Sequence, residues 1–136
     1  MSTDEVYGES HLGEKEIKKN ESSVLSPTNP YAATKAAAEM IVKSYYKSFN
    51  VPVIITRGNN VYGYNQYPEK IIPKFIKLLL NNEPVTIQGN GNSVRGFLHS
   101  FDTANAFETI IDKGVIGETY NIGCDDCDDY TVLEIS

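Results

Sequence analysis

The longest regular pattern of the chain is an alanine-rich stretch. Residues 32–49 contain neither glycine nor proline, which predicts a helix. Pro30 suits the first helical turn because its φ is preset, and Thr28 or Asn29 can cap the N–H groups of that turn. This helix and the strand predicted after it indicate a strand–helix–strand unit of an α/β fold.

Shorter patterns predict the other elements. An apolar stripe at helical spacing predicts a second helix, and we expect it to face the core. It consists of Ile72, Phe75, Ile76 and Leu79, with Pro73 in the first turn. β-branched or alternating runs predict strands at 53–56, 85–88, 94–99 and 119–122.

Helix starts can be located from two further signals. Asp102 is expected to cap a helix that runs to about Lys113. Thr131 and Glu134 have the spacing of a capping box, which marks another helix start.

Composition limits the class of protein. The chain has 136 residues, of which 40% are hydrophobic and 22% charged, enough for one small globular domain. The net charge of −6 argues against a nucleic-acid partner. The sequence contains no apolar run of spanning length, so we expect no membrane partner and a cytoplasmic location. Cys124 and Cys127 have no second pair nearby, and reduced loop thiols are expected instead of a metal site.

Tyr31 and Lys35 lie one turn apart on one face of the first helix. A cation that close to a phenol favours the phenolate, the form that can remove a proton. An ordinary surface pair is the alternative, since this spacing is common.

A second candidate cluster precedes that helix. Thr3, Asp4 and Glu5 place a hydroxyl beside two carboxyl groups, and such polar side chains are unfavourable in a buried strand or helix. The cluster is either a solvated loop start or a hydroxyl, an acid and a base held at the end of a strand. The Tyr31–Lys35 pair downstream favours the second interpretation.

These segments together resemble the extended short-chain dehydrogenase/reductase family, and most closely its nucleotide-sugar 4,6-dehydratases. The similar segments are 2–8, 29–35, 60–63, 67–73, 89–95 and 117–123. The Asp4–Glu5 pair is more specific to the dehydratases than the Tyr31–Lys35 pair, because related epimerases and decarboxylases lack it.

The resemblance implies a partial NAD(P)-binding Rossmann-like α/β fold with part of a small substrate-binding domain. Residues of about 1–63 match the Rossmann-like part, and residues of about 64–136 match elements that bind the nucleotide sugar. The implied cofactor is NAD, and the implied partners are a nucleotide sugar and a second copy of the full-length chain. The implied catalytic residues are Thr3, Asp4, Glu5, Tyr31 and Lys35, of which the last two also contact NAD.

The resemblance also implies a set of substrate-binding residues. They are Thr3 and Asn60 near the sugar, Lys70 and Ile71 beside the diphosphate and nucleotide, Thr86, Ile87 and Gln88 along the base, and Arg95 at the diphosphate. The planar, forked guanidinium of Arg95 suits a phosphate, and a surface salt bridge is the alternative.

The sequence contains no glycine-rich turn of the kind that binds a dinucleotide, and its final capping box has almost no helix after it. We therefore expect an internal segment of a larger enzyme, inactive alone. An epimerase or decarboxylase of the same family, and a truncated remnant without catalysis, stay open as alternatives.

Overall fold

A computed structural model describes residues 1–8, 19–87, 89–123 and 129–136 of the chain. Its strands and helices are interleaved along the chain, as expected for an α/β fold. The strands are β1 Ser2–Thr3, β2 Ile55–Gly58, β3 Asn60–Tyr62, β4 Val94–His99, β5 Thr119–Ile122 and β6 Asp129–Thr131. The helices are α1 Pro30–Phe49, α2 Ile71–Leu80, α3 Ser100–Lys113 and α4 Val132–Ile135, and a 3₁₀ helix spans Asp4–Tyr7.

The strands of the described segments form two small sheets. In the first, β2 lies between β1 and β5, and both pairings are parallel. In the second, β4 lies between β3, to which it is parallel, and β6, to which it is antiparallel. The carboxyl ends of β1 and β2 therefore meet at one edge of the first sheet, where α/β folds place their ligands.

The core lies between α1 and the first sheet. Val6 and Ala32 are completely buried, and Ile55 and Ile122 nearly so. All four residues of β2 are buried, as expected for a central parallel strand. The predicted strand is confirmed, although it begins at Ile55, two residues later than the sequence pattern indicated.

The alanine-rich stretch and the apolar stripe that predicted the first two helices both form helices, α1 and α2. Asn29 caps α1 by accepting a hydrogen bond from the backbone N–H of Ala32 at 2.9 Å, and Pro30 occupies the first turn. The capping box before α4 is present, since Thr131 accepts from the backbone N–H of Glu134 while Glu134 accepts from that of Thr131.

The predicted strand at 85–88 is wrong for its described residues. Val85, Thr86 and Ile87 adopt no strand, and Gln88 lies outside the described residues. The next strand along the chain is β4. Both edges of β4 are already occupied, by β3 and by β6, so residues 85–87 have no edge to join.

Two details of the predicted helices are also wrong. His99 caps α3, because its Nδ1 accepts from the backbone N–H of Phe101 at 3.3 Å, while Asp102 lies inside the first turn. In α2, Phe75 is buried, but Ile76 is 54% exposed and Leu79 is 57% exposed. A stripe at helical spacing predicts a helix, whereas its burial requires a neighbouring element over each position.

No helix in the described residues is long and apolar enough to cross a membrane. The expectation for Cys124 and Cys127 falls outside the described residues. Among the residues that the structure describes, no group of three or more metal-ligating side chains is close enough to hold an ion.

Candidate active site

The candidate site begins where β1 ends. Thr3 is the last residue of β1 and the cap of the 3₁₀ helix Asp4–Tyr7. Its hydroxyl donates to Oδ1 of Asp4 at 3.1 Å and accepts from the backbone N–H of Glu5 at 3.4 Å. The short strand and its cap thus place a hydroxyl and two carboxyl groups at the sheet edge predicted to bind a ligand.

Asp4 is shifted toward its acid form. Burial of the carboxyl raises the pKa of Asp4, and the negative charge of Glu5 raises it further. The hydrogen bond from Thr3 works in the opposite direction and offsets only part of this effect. A carboxyl group that retains its proton at higher pH is suited to donate that proton to a leaving group.

Glu5 is held by a residue from the other side of the site. Nδ2 of Asn29 donates to Oε2 of Glu5 at 2.8 Å. The sequence suggested Asn29 only as a cap for α1. Its bond to Glu5 joins the start of α1 to the 3₁₀ helix.

The first turns of α1 present Tyr31 and Lys35. Tyr31 is 55% exposed and lines the main cleft. Lys35 is partly buried, and its Nζ donates to the backbone carbonyl of Met1 at 2.8 Å. The ammonium is thus anchored beside β1, and Lys35 follows Tyr31 by one turn of α1.

Thr3, Asp4, Glu5 and Tyr31 line a cleft of about 310 Å³, whereas the predicted catalytic residue Lys35 is not among its lining residues. This volume is at the lower end of the range for small-molecule sites, about 300–1,000 Å³, and suits a sugar ring better than a whole nucleotide. The cleft is lined by Met1, Ser2, Thr3, Asp4, Glu5, Tyr31, Gly58, Asn59, Asn60 and Lys70. Six of the predicted site residues therefore meet in one place: Thr3, Asp4, Glu5, Tyr31, Asn60 and Lys70.

A smaller cleft of about 120 Å³ adjoins the main one, since Asn60 and Lys70 line both. Its other lining residues include Ile71, which was predicted to bind substrate, and Gln66, which was not. Nε2 of Gln66 donates to the carbonyl of Val61 at 2.8 Å and steadies the loop after β3.

The other predicted substrate-binding residues lie elsewhere. Thr86, Ile87 and Arg95 line neither cleft, and Gln88 falls outside the described residues. Arg95 is an exposed residue of β4 opposite Tyr130 of β6. Their binding roles stay predictions.

Two residues of the site, Tyr31 and Lys35, suit one end of a dinucleotide. Tyr31 and Lys35 supply a half-exposed phenol and an ammonium, donors suited to the hydroxyl groups of a ribose. The sequence has no glycine-rich turn for the pyrophosphate. Tyr31 and Lys35 are therefore chemically suited to the nicotinamide ribose, and their role there stays a prediction.

Beneath the site lies a buried network that the sequence did not reveal. Arg57 is 2% exposed, and its guanidinium contacts Glu39 of α1 through three hydrogen bonds of 2.7 to 3.2 Å. Its Nη1 donates to the Tyr7 hydroxyl at 2.7 Å and to the Glu21 carbonyl at 3.2 Å. Burial alone would raise the pKa of Glu39, but the hydrogen bonds and charge of Arg57 outweigh it and lower that pKa.

Comparison with known proteins shows the family to which this chain belongs. The model of the NAD dependent epimerase/dehydratase family matches residues 1–123. The chain therefore belongs to this family, and the extended short-chain dehydrogenase/reductase resemblance is confirmed.

The similar proteins include dehydratases and epimerases. The chain is 55% identical over 132 residues to dTDP-D-glucose 4,6-dehydratase of Dictyostelium discoideum, covering 92% of this chain and 30% of that protein. The crystal structure of dTDP-glucose 4,6-dehydratase from Bacillus anthracis with NAD superposes with a TM-score of 0.90 at 41% identity, over 98% of this chain and 41% of that one. UDP-glucuronic acid 4-epimerase from Bacillus cereus superposes with a TM-score of 0.86 at 33% identity, over 97% of this chain and 40% of that one.

These superpositions confirm the predicted partial Rossmann-like fold. The chain spans between 30% and 41% of the length of the two dehydratases.

Proposed function

We propose that this chain supplies catalytic residues of an NAD-dependent lyase that removes water from a nucleotide-activated hexose. The substrate is dTDP-glucose and the product is dTDP-4-keto-6-deoxyglucose, a step of deoxysugar biosynthesis. The activity belongs to an enzyme of the relatives' full length, and the chain alone is inactive. One observation carries the proposal: Asp4 and Glu5, with the pKa of Asp4 raised, line the same cleft as the Tyr31 phenol.

Oxidation of the sugar is the first step of the proposal. Tyr31, as phenolate, removes the proton from the 4-hydroxyl group, and Lys35 stabilises the phenolate by its charge. Thr3 hydrogen-bonds the sugar 4-oxygen and aligns it. NAD, when bound, takes the hydride from C4 and returns it to C6 at the end, so the cofactor is regenerated. The 4-keto group that results makes the C5 proton acidic.

Elimination of water is the second step. Glu5 takes the proton from C5, and the electron pair of the broken C–H bond forms an enolate with the 4-keto group. The enolate expels the 6-hydroxyl group, and Asp4 protonates that group so that it leaves as water. This leaves a double bond between C5 and C6. When the hydride is returned to C6, Glu5 gives its proton back to C5, which completes the 6-deoxy product. Two adjacent carboxyl groups can take opposite roles because their environments differ: Asp4 is held toward its acid form, while Glu5 accepts a hydrogen bond from Asn29.

Substrate binding extends from the main cleft along the smaller one. Asn60 contacts the sugar, and Lys70 and Ile71 contact the diphosphate and nucleotide. The position of Lys70 between the two clefts supports this assignment. The predicted roles of Thr86, Ile87 and Gln88 at the base, and of Arg95 at the diphosphate, rest on the resemblance alone. The division into a Rossmann-like part of about 1–63 and a sugar-binding part of about 64–136 also stays a prediction.

A second copy of the full-length chain is the proposed protein partner. The side of α1 turned away from the sheet carries Ile41, Tyr45 and Phe49, which are all more than half exposed. An apolar helix face of this kind favours helix-to-helix pairing in a homodimer. Light scattering of the full-length enzyme should give a dimer, and Ile41→Glu with Tyr45→Glu should shift it toward monomer. The cytoplasmic location stays a prediction.

The main competitor is an epimerase. It needs the Tyr31–Lys35 pair but has no elimination step, so it has no use for an acid beside a base. The test uses a full-length enzyme, that is, a protein of the relatives' length that contains this chain. One such protein is the Dictyostelium relative in which this chain replaces the matching segment. Incubated with NAD and dTDP-glucose or UDP-glucose, it should form a product that has lost one water, measured by mass spectrometry. Epimerised sugar without water loss would contradict the proposal.

A further inference from the structure

The side chain of Asn29 joins the two halves of the candidate site. Its Oδ1 accepts from the backbone N–H of Ala32 at 2.9 Å and so begins the helix that carries Tyr31 and Lys35. Its Nδ2 donates to Oε2 of Glu5 at 2.8 Å. One amide group thus contacts both the helix of the oxidation step and the carboxylate of the elimination step.

Helix capping alone does not explain why residue 29 is asparagine. Serine, threonine and aspartate cap helices about as well as asparagine. Of these four, only asparagine has an N–H donor beside its acceptor on a rigid amide. Aspartate would set a second carboxylate against Glu5. The hydroxyl of serine or threonine can donate as well as accept, but it is one bond shorter than the amide and reaches less far toward Glu5 while it caps the helix. The bond to Glu5 gives asparagine its advantage at this position.

The cap also makes Asn29 a fixed donor. Because Oδ1 is bound to the first turn of α1 and the amide is planar, the position of Nδ2 is set by the helix. A free glutamate side chain has many rotamers, and a bond to a fixed donor restricts them.

We infer that Asn29 is a positioning residue for Glu5. This inference rests on the proposed function, in which Glu5 takes the C5 proton. Asn29 does not contact the reacting atoms. It holds the carboxylate in the orientation in which the proton passes to it from C5, and it ties that orientation to the helix that carries Tyr31. Oxidation at C4 depends on Tyr31 and Lys35, so loss of the Asn29 amide should affect the two steps unequally.

The test uses Asn29→Asp and Asn29→Ser in the full-length enzyme, since both residues retain the cap. For Asn29→Ser the unfolding midpoint should stay close to that of the unsubstituted enzyme, and for Asn29→Asp it should fall slightly, because the new carboxylate repels Glu5. With dTDP-glucose, the absorbance of reduced nicotinamide should rise at a nearly unchanged rate and then persist. Exchange of the C5 hydrogen with deuterated solvent and loss of water should both slow by about ten- to hundredfold, as expected for a misplaced catalytic group.

Asn29→Ala is the matched control for the cap. It loses both bonds, so it should show the same slow elimination together with a lower unfolding midpoint.

Two results would overturn the inference. One is normal C5 exchange and water loss in both cap-retaining variants. The other is an equal fall of oxidation and elimination, which is the mark of a general structural role. Either result leaves the proposed function standing as long as the unsubstituted enzyme forms the dehydrated product. If the unsubstituted enzyme forms none, the proposed function fails, and the inference about Asn29 fails with it.

Discussion

Arg57 and Glu39 form a buried ion pair, in which Nη2 of the guanidinium lies 2.7 Å from Oε2 of the carboxylate. The pair connects β2 to the inner face of α1, below the residues that line the cleft. Arg57 also contacts Tyr7 at the end of the 3₁₀ helix that carries Asp4 and Glu5. Three of the elements that build the site, β2, α1 and the 3₁₀ helix, are therefore held together by one guanidinium.

Replacing Arg57 by methionine should destabilise the full-length enzyme strongly. The substitution leaves the carboxylate of Glu39 buried without its partner, which costs about 3–5 kcal/mol. The free energy of unfolding, measured by urea titration, should fall by that amount. Arg95→Met is the matched control, since Arg95 is exposed on β4 and should change stability by less than about 0.5 kcal/mol. A loss at Arg57 no larger than at Arg95 would show that the pair does not hold the fold.

Asp4→Asn should increase stability at neutral pH while it slows water loss. Because burial raises the pKa of Asp4 in the folded state above its unfolded value, the stabilising contribution of Asp4 is complete below the unfolded pKa of about 4. It is lost as the pH rises through the raised folded value. Asparagine never ionises, so the unfolding midpoint of the variant should exceed that of the unsubstituted enzyme at about pH 8 and approach it near pH 4. An advantage that grows toward acid pH would contradict the sign of this shift.

Tyr31→Phe should reduce turnover of the full-length enzyme by about 10²–10⁴, the usual effect of removing a positioned base. Binding of the nucleotide sugar should change little, since the ring remains in the cleft. Tyr64→Phe provides the control, because Tyr64 is 94% exposed and lines neither cleft. Near-normal turnover of Tyr31→Phe would refute the role of the Tyr31–Lys35 pair.

The 136-residue chain by itself should bind NAD very weakly. Its residues fit the nicotinamide ribose, but the sequence offers no glycine-rich turn to hold the pyrophosphate. Isothermal titration of the chain with NAD tests this directly. A micromolar dissociation constant would mean that the chain contains a cofactor site other than the one described.

Local sequence signals predicted the fold well where the cause was local. Pro30 after Asn29, and Thr131 three residues before Glu134, determine helix starts through bonds within one turn, so the sequence is sufficient. The strand at 85–88 failed because a strand requires a partner, and the two edges of β4 were already taken. Similarly, the exposure of Ile76 and Leu79 depends on which elements cover α2, which spacing does not reveal.

The residues that line the candidate site were predicted from the sequence, but the contacts that hold them in place were not. Thr3, Asp4, Glu5 and Tyr31 were identified from residue type and resemblance, and they do meet in one cleft. The bond between Asn29 and Glu5 spans 24 positions, and it depends on how α1 packs beside the 3₁₀ helix. Arg57 directly follows the β-branched run at 53–56, and a charged residue at the end of a buried strand is the one signal that could have indicated it, since a buried guanidinium requires a carboxylate partner.

The central claim is that Glu5 removes the C5 proton after oxidation at C4, and Glu5→Gln in the full-length enzyme tests it most directly. Glutamine retains the shape of the side chain but cannot act as the base. Glu83→Gln, at an exposed position after α2, is the matched control. On mixing with dTDP-glucose, the Glu5 variant should accumulate reduced nicotinamide, seen by its absorbance, and should release almost no dehydrated sugar, while the Glu83 variant should turn over normally. Formation of 4-keto-6-deoxy product by Glu5→Gln at the normal rate would contradict the account.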